Sequence, residues 1–158
     1  MSYSAIIAKI AEKSGASFAL DFPIGLKTTY KTGGKADGVL FPSNLEQAKS
    51  VVNLLKESEV PYVVMGCGSN VLVSDRGYKG AVIFSDNLKN IAVRGKTIVA
   101  DAGAGLSELI KTALYSGLGG LEFLSGIPAS VGGAVAMNAG AYGKSIGDYV
   151  SYVVTTSG

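Results

Sequence analysis

Apolar positions in two parts of the chain recur every three or four residues, which is the spacing of a helix with one buried face. The first group is Leu45, Ala48, Val51, Val52 and Leu55, and the second is Leu106, Leu109, Ile110, Ala113 and Leu114. They predict helices over residues 44–58 and 106–116. Ser43 and Glu46 match a capping box at the start of the first helix, Pro61 prevents its continuation, and Gly117 ends the second helix. Residues 1–20 predict a short amphipathic helix followed by a link.

Short apolar runs between these segments predict strands at residues 35–41, 61–65, 71–73, 81–84 and 149–155, and a hairpin formed by residues 91–93 and 97–100. The run at 61–65 is nearly unbroken, which is typical of a strand covered on both faces. The helix at 44–58 lies between two of these strands, so the three elements predict a βαβ-like unit, right-handed if the strands are parallel.

Residues 117–147 show no periodicity, and small residues dominate there. A structureless segment of this length inside a compact domain is uncommon and usually functional. Glycine contributes to this pattern, because 22 of the 158 residues are Gly, about twice the usual 7%. Sixteen of them lie between Gly66 and Gly147, so this part of the chain is expected to bring its backbone close to another group repeatedly.

Composition excludes several classes of chemistry. The chain has no His, so it cannot hold a Ser-His-Asp triad, an HExxH zinc site or a His-based proton relay, and we predict no metal site. Fourteen basic and 12 acidic side chains are interspersed, which argues against nucleic-acid and membrane partners. One Cys, no signal-like N-terminus and no apolar run of about 20 residues indicate a reducing, cytoplasmic setting. Any chemistry must come from other residues or from a cofactor.

Two glycine-rich segments are candidates for a cofactor site. Residues 66–70 directly follow a predicted buried strand, where successive amides can bind an anion and the side chains of Ser69 and Asn70 add polar groups. A simple tight turn is the alternative for this segment. The second segment runs from Gly126 to Gly143, with a packed Ω-loop as its alternative. Together they suit a ligand with a phosphate middle and flat aromatic ends, which describes FAD better than ATP.

Nucleotide-binding fingerprints of other kinds do not match. Three stretches begin as GxGxxG, but their sixth positions are Val71, Glu108 and Glu122, so the dinucleotide fingerprint fails. The Gly143-Lys144-Ser145 stretch resembles the end of a Walker A loop, which would need Gly where Asn138 stands. A P-loop NTPase is therefore disfavoured.

Four segments in register resemble the UDP-N-acetylenolpyruvoylglucosamine reductases (MurB): residues 29–37 (TYKTGGKAD), 66–73 (GCGSNVLV), 120–128 (GLEFLSGIP) and 131–143 (VGGAVAMNAGAYG). The resemblance implies an α+β fold in which two small subdomains form an FAD-binding module of the vanillyl-alcohol-oxidase type. The N-terminal helix and link would occupy 1–19, the first subdomain 20–85 and an incomplete second subdomain 86–158, with the C-terminal substrate-binding domain absent.

The family's GxGSN loop holds the pyrophosphate of FAD, and its GIPxSVGG and NAGAYG loops line the cofactor. Carried over by position, the cofactor-binding residues are Gly66, Cys67, Gly68, Ser69, Asn70, Gly126, Ile127, Pro128, Ser130, Val131, Gly132, Gly133, Asn138, Gly140, Ala141 and Tyr142. Thr28 and Ala129 depart from the family's usual Asn and Gly, so the backbone at Ala129 should avoid positive φ. With no His and with Cys67 expected near the phosphates, the flavin should be non-covalent.

The resemblance also implies a reaction. Members of the family use NADPH and FAD to reduce UDP-N-acetylglucosamine enolpyruvate to UDP-N-acetylmuramate for peptidoglycan, so a UDP-sugar is the expected substrate. The family's catalytic Ser, Arg and Glu lie beyond residue 158, so we assign no catalytic residue and expect this chain to be inactive alone. Two alternatives stay open: a stand-alone FAD- or nucleotide-binding module, and the FAD-binding part of another oxidoreductase of the superfamily.

Overall fold

The computed structural model describes residues 2–156. This part of the chain forms two compact units, residues 2–87 with Thr156, and Leu88–Thr155. Each unit combines helices with β-structure, so the predicted α+β class is confirmed.

The first unit is built on a four-stranded sheet. Its strands are β1 (Ser17–Pro23), β2 (Lys35–Phe41), β3 (Tyr62–Met65) and β4 (Tyr78–Phe84). They lie in the order β1-β2-β4-β3, with β1 antiparallel to β2, and with β2 and β3 each parallel to β4. Two helices, α1 (Ser4–Ser14) and α2 (Leu45–Glu57), complete the unit together with a 3₁₀ turn at Ile24–Lys27.

Alternate residues along β2 and β4 enter two separate hydrophobic clusters. Leu40 and Ile83 pack with α1 and α2, whereas Val39, Val82 and Phe84 pack with Ile24 and the half-buried residues of the segment after β3. Because successive side chains of a strand point to opposite faces, the helices cover one face of the sheet. Irregular chain covers the other face.

The predicted helix at 44–58 is confirmed as α2, with its cap one residue later than predicted. Asn44, not Ser43, is the N-cap: its Oδ1 accepts a hydrogen bond from the Gln47 amide at 2.9 Å. The Gln47 side chain accepts one in return from the Ser43 amide at 2.8 Å. A Gln three residues after the cap thus takes the place predicted for Glu46, but its side chain accepts from the amide of Ser43, the residue before the cap, instead of from the cap residue's own amide as in a capping box.

The predicted strands at 35–41, 61–65 and 81–84 are confirmed as β2, β3 and β4, but three details of this unit differ from the prediction. Residues 61–65 are not covered on both faces, because β3 is an edge strand whose Val63 and Val64 are 39% and 59% exposed. Residues 71–73 form no strand: Val71 and Val73 pack against the core cluster without joining a ladder. The link expected before residue 20 contains strand β1. In the βαβ-like unit, β2 and β3 are parallel but not neighbours, since β4 pairs with both.

The second unit begins with the predicted hairpin, formed by β5 (Ile91–Arg94) and β6 (Thr97–Ala100). Helix α3 (Leu106–Tyr115) follows, and Gly117 after it has a φ of 67°. The core cluster of the second unit consists of Leu106, Leu109, Phe123, Leu124, Ala134 and Ile146.

The sequence predicted that residues 117–147 lack regular structure, and this prediction is wrong. They contain helix α4 (Val131–Ala136), a short hairpin of β7 (Gly140–Ala141) and β8 (Lys144–Ser145), and 3₁₀ turns at Glu122–Leu124 and Ile146–Asp148. These elements are too short to leave a periodic pattern. The predicted strand at 149–155 is absent, because no strand in the described part of the chain pairs with it.

Candidate functional site

The first candidate loop lies at one edge of the four-stranded sheet. Strands β2, β3 and β4 are parallel, so their carboxyl ends, Phe41, Met65 and Phe84, lie at the same edge. Loop 66–70 directly follows Met65. Ligands of sheets with parallel strands bind outside these carboxyl ends, so the topology places the loop where a ligand would be expected.

Gly68 is the residue of this loop whose identity is most strongly required by the surrounding backbone. It has a φ of 69°, and a Cβ added to it would overlap the carbonyl oxygen of Lys27. The Gly68 carbonyl oxygen accepts a hydrogen bond from the Thr29 amide at 3.1 Å. Glycine is therefore required here by the chain's own packing, since residues 27–29 lie against the loop without room for a side chain.

The TGG part of the motif at 29–37 supports the same region. A Cβ at Gly33 would lie 2.6 Å from the Val73 Cβ, and the Gly34 amide donates to the Ser74 carbonyl at 2.9 Å. Thr28 is buried, and its hydroxyl donates to the carbonyls of Gly25 and Thr32. These residues were not predicted as site residues. The sequence signal for them is the glycine pair Gly33-Gly34, because adjacent glycines allow close contact between two backbone segments.

The amides of loop 66–70 fit an anion. Within residues 2–156, the amides of Gly68, Ser69 and Asn70 donate to no backbone carbonyl. Ser69 is half-buried and Asn70 is exposed, so their polar groups are accessible to a ligand. The Cys67 thiol donates to the Ser69 hydroxyl at 3.6 Å. Successive backbone N–H groups without protein acceptors form the kind of concavity that binds phosphate oxygens.

The loop at 126–133 in the second unit uses its amides differently. The Val131 and Gly132 amides donate to the carbonyls of Ala104 and Ala102, both at 2.8 Å. Ser130 caps α4, and its hydroxyl accepts from the Gly133 amide at 3.3 Å. Because the first amides of α4 are all paired within the protein, this loop does not offer them to a phosphate.

The glycines of this loop also serve internal packing. A Cβ at Gly132 would lie 2.7 Å from the Ala102 Cβ, so the close approach is to the protein's own backbone segment. Gly126 has a φ of 84° with open space around it, so it is needed for the turn alone. Ile127 packs against the core of the unit. The prediction that the backbone at Ala129 avoids a positive φ is confirmed.

The third predicted loop ends in an exposed aromatic side chain. Tyr142 and Gly143 connect β7 and β8 with φ values of 55° and 76°, which defines a two-residue turn of type I′. Tyr142 is 91% exposed at its tip. Asn138, with a φ of 45°, accepts a hydrogen bond from the Gly147 amide at 3.0 Å and thereby ties the start of the loop to its end. Gly140 packs against the Lys144 carbonyl, and Ala141 is half-buried.

Two groups of charges lie near these loops. Lys27 Nζ is 2.5 Å from Asp86 Oδ2 and 5.7 Å from the ring centroids of both Phe41 and Phe84. In the second unit, hydrogen bonds from the Gly120 amide lower the pKa of Glu122. Burial raises the pKa of the Tyr78 hydroxyl in β4. Within residues 2–156, no cluster of acidic or Cys side chains could hold a metal ion.

The predicted site residues thus fall into two sets. The five of loop 66–70 lie together in the first unit, and the remaining eleven lie on the loops around α4 and the β7–β8 hairpin of the second. In the described part of the chain, the Gly68, Ser69 and Asn70 amides of the first set donate to no backbone carbonyl, whereas the Val131, Gly132 and Gly133 amides of the second set are paired within the protein. In the second set, the glycines and Ser130 shape the backbone, while Tyr142 and Pro128 expose their side chains.

Comparison with known proteins identifies the family. Residues 36–156 match the FAD binding domain family. The match covers most of the chain, and the chain belongs to this family. The α+β FAD-binding fold expected from the resemblance is therefore confirmed.

Individual relatives support the more specific resemblance. The UDP-N-acetylenolpyruvoylglucosamine reductase of Caldicellulosiruptor bescii is 45% identical over 137 residues, which cover 87% of this chain and 44% of that protein. The protein of the same name from Clostridium botulinum is 46% identical over 131 residues, covering 83% and 43%. The resemblance stated from the motifs is confirmed. The chain spans less than half the length of these relatives.

Solved structures agree with this. The crystal structure of UDP-N-acetylenolpyruvylglucosamine reductase (MurB) from Thermus caldophilus has a TM-score of 0.65 at 36% identity, over 84% of this chain and 46% of that one. Cholesterol oxidase from B. sterolicum has a TM-score of 0.62 at 16% identity, over 80% and 25%, which shows the shared fold alone. Among residues 2–156, no helix is long and apolar enough to cross a membrane.

Proposed function

We propose that this chain binds FAD non-covalently and is the FAD-binding part of a UDP-N-acetylenolpyruvoylglucosamine reductase. The observation that carries the proposal is loop 66–70, which leaves three successive amides without backbone acceptors at the carboxyl edge of the sheet. Membership of the FAD binding domain family supports FAD as the ligand. Identities of 45% and 46% to reductases support this particular activity over that of the oxidases, which share the fold at much lower identity.

Residues 66–70 would hold the diphosphate group of FAD. The amides of Gly68, Ser69 and Asn70 donate to its oxygens, and the side chains of Ser69 and Asn70 add further hydrogen bonds. Gly68 keeps this arrangement in place because residues 27–29 pack directly against it. Cys67 contributes as a small residue rather than as a covalent attachment point.

The loops of the second unit would contact the remainder of the cofactor. Their amides at 131–133 are already paired, so Ser130, Val131, Gly132 and Gly133 shape the backbone. Contacts to the cofactor come from exposed parts of the loops at 126–128 and 138–142. The two compact units correspond, in this proposal, to the two subdomains of the FAD-binding module.

The complete enzyme would use NADPH to reduce UDP-N-acetylglucosamine enolpyruvate to UDP-N-acetylmuramate, a step of peptidoglycan synthesis in the cytoplasm. FAD, when bound, supplies the hydride chemistry for this reaction, and the protein binds and orients the reacting molecules. We assign no catalytic side chain within the described residues. The UDP-sugar is the proposed substrate of the whole protein.

Cofactor binding is the direct test, because the chain spans less than half the length of its relatives. The purified protein is titrated with FAD, ADP and riboflavin, with flavin fluorescence and calorimetry as readouts. We expect FAD to bind more tightly than either of its parts. A folded chain that binds no FAD at tens of micromolar would contradict the proposal, and equal binding of ADP and FAD would favour a general nucleotide-binding module.

A matched pair of variants tests the role of the loop. Asn70→Asp places a negative charge beside the free amides, and we expect it to weaken FAD binding by roughly tenfold or more, because like charges repel. Asn53→Asp makes the same change at an exposed position of α2 and should leave binding unchanged. Equal affinities of the two variants would argue against the loop as the diphosphate site.

A further inference from the structure

Lys27 is held at the carboxyl edge of the sheet by three groups at once. Its ammonium is 2.5 Å from Asp86 Oδ2, the residue two places after the end of β4. It also lies 5.7 Å from the centroids of Phe41 and Phe84, whose rings stack at 5.3 Å. Attraction to aromatic faces and to a carboxylate restrains a long side chain that would otherwise move freely.

The backbone of Lys27 contacts loop 66–70 directly. Its carbonyl oxygen is the atom that a Cβ at Gly68 would overlap, and the Thr29 amide two residues later donates to the Gly68 carbonyl. The ammonium lies on the same edge, because Phe41 and Phe84 both end strands whose carboxyl ends lie there. Lys27 is therefore a restrained cation on the segment that packs against the loop carrying these amides.

This cation is accessible from solvent. The side chains of Lys27 and Asp86 are 39% and 25% exposed, so water and a ligand can reach both. Amides carry only partial charges, whereas a diphosphate carries full negative charges that attract an ammonium over about a Debye length. Asp86 opposes this attraction, because its carboxylate carries the same sign as the ligand.

We propose that Lys27 supplies positive charge to the diphosphate group bound at loop 66–70, and that Asp86 positions the ammonium while weakening binding of the anion. This inference rests on the proposed FAD site, and it concerns two residues that lie outside the four motifs. It predicts effects of opposite sign for the two members of one ion pair. A pair that only stabilises the fold would give effects of the same sign.

The test uses Lys27→Gln, Lys27→Arg and Asp86→Asn, titrated with FAD and with ADP at low and high salt. We expect Lys27→Gln to weaken binding of both ligands by about three- to tenfold and Asp86→Asn to strengthen it by a similar factor. Lys27→Arg should keep the wild-type affinity. These differences should shrink in 0.5 M salt, because salt screens charges. Lys56→Gln and Glu57→Gln, which change exposed charges at the end of α2, should have no effect.

Thermal unfolding of the same variants separates the two explanations. Asp86→Asn should lower the melting temperature, since it breaks the ion pair, while it raises the affinity for ADP and FAD. Loss of affinity in both Lys27→Gln and Asp86→Asn, or unchanged affinity in both, overturns the inference while leaving FAD binding by the wild type intact. A folded wild-type chain that binds neither ligand overturns the proposed function and this inference together.

Discussion

Gly68 and the carbonyl oxygen of Lys27 are in direct contact, so that no side chain fits at position 68. This contact joins the loop after β3 to the segment before β2, two parts of the chain about forty residues apart. The glycine also has a φ of 69°. The geometry of the proposed diphosphate loop is thus set by a backbone contact within the first unit, independently of any ligand.

Gly68→Ala should destabilise the protein substantially. Both the positive φ and the overlap with Lys27 oppose a Cβ, so we expect a loss of about 2–4 kcal/mol in the free energy of unfolding. Gly143→Ala is the matched control: its φ is 76°, but a Cβ there would meet no atom within 4 Å. It should lose only about 1 kcal/mol. Urea denaturation measures both, and equal losses would show that the contact with Lys27 is relieved by a small shift.

Ser130→Ala should destabilise the second unit through the cap of α4. The Ser130 hydroxyl is buried and accepts the Gly133 amide at 3.3 Å, and removal of an N-cap costs about 0.5–2 kcal/mol. Ser125→Ala removes a hydroxyl at an exposed position nearby and should be neutral. Chemical denaturation monitored by circular dichroism compares the two, and a neutral Ser130→Ala would show that the cap contributes nothing to stability.

Elements with strong local signals could be predicted from the sequence. Helix α2 has apolar spacing, a cap and Pro61 after it, all of which are encoded within a few residues. The exposure of Val64 could not be predicted from local signals. It depends on the strand order, in which β4 lies between β2 and β3 and leaves β3 at the edge of the sheet. Strand β1 was not predicted for a different reason. Its exposed and half-buried residues do not alternate regularly, and Asp21 within it has a φ of 48°.

The glycine-rich loops bring their backbone close to another group, as the sequence predicts. The physical reason for this close approach was only partly predicted. Glycines were expected to allow a ligand close to the chain. At Gly68 and Gly132 the group that approaches is the protein's own backbone or the side chain of Ala102. Sequence cannot separate these two causes, since both require the absence of a Cβ. The pairing of the amides at 131–133 within the protein distinguishes loop 126–133 from the amides at 68–70, which donate to no backbone carbonyl among residues 2–156.

Glu122→Gln should lower stability at neutral pH, with the difference disappearing in acid. Hydrogen bonds from the Gly120 amide, 2.9 Å from both carboxylate oxygens, lower the pKa of Glu122 below its ordinary value of 4.5. A lowered pKa in the folded state gives stability that is present above the unfolded pKa and is lost as the pH falls through the folded pKa.

Melting temperatures between pH 2 and pH 7 provide the measurement. Glu122→Gln should melt below the wild type at pH 7 and should converge with it once Glu122 is protonated. Glu12→Gln changes an exposed carboxylate of α1 and should show no such convergence. A constant difference for Glu122→Gln across the whole range would assign its effect to packing instead of charge.

Tyr142→Asn should stabilise the protein and weaken the binding of FAD. Tyr142 has a φ of 55° in a type I′ turn followed by Gly143, a position that Asn occupies much more easily than Tyr. Relief of this strain should add about 0.5–1 kcal/mol to the free energy of unfolding. A strained residue that exposes 91% of an aromatic side chain is expected where a ligand contact compensates for the strain, so loss of the ring should reduce FAD affinity. Tyr152→Asn, at an exposed position outside any helix or strand, should change neither quantity. Higher stability with unchanged FAD affinity would remove Tyr142 from the proposed site and leave the turn as a purely structural feature.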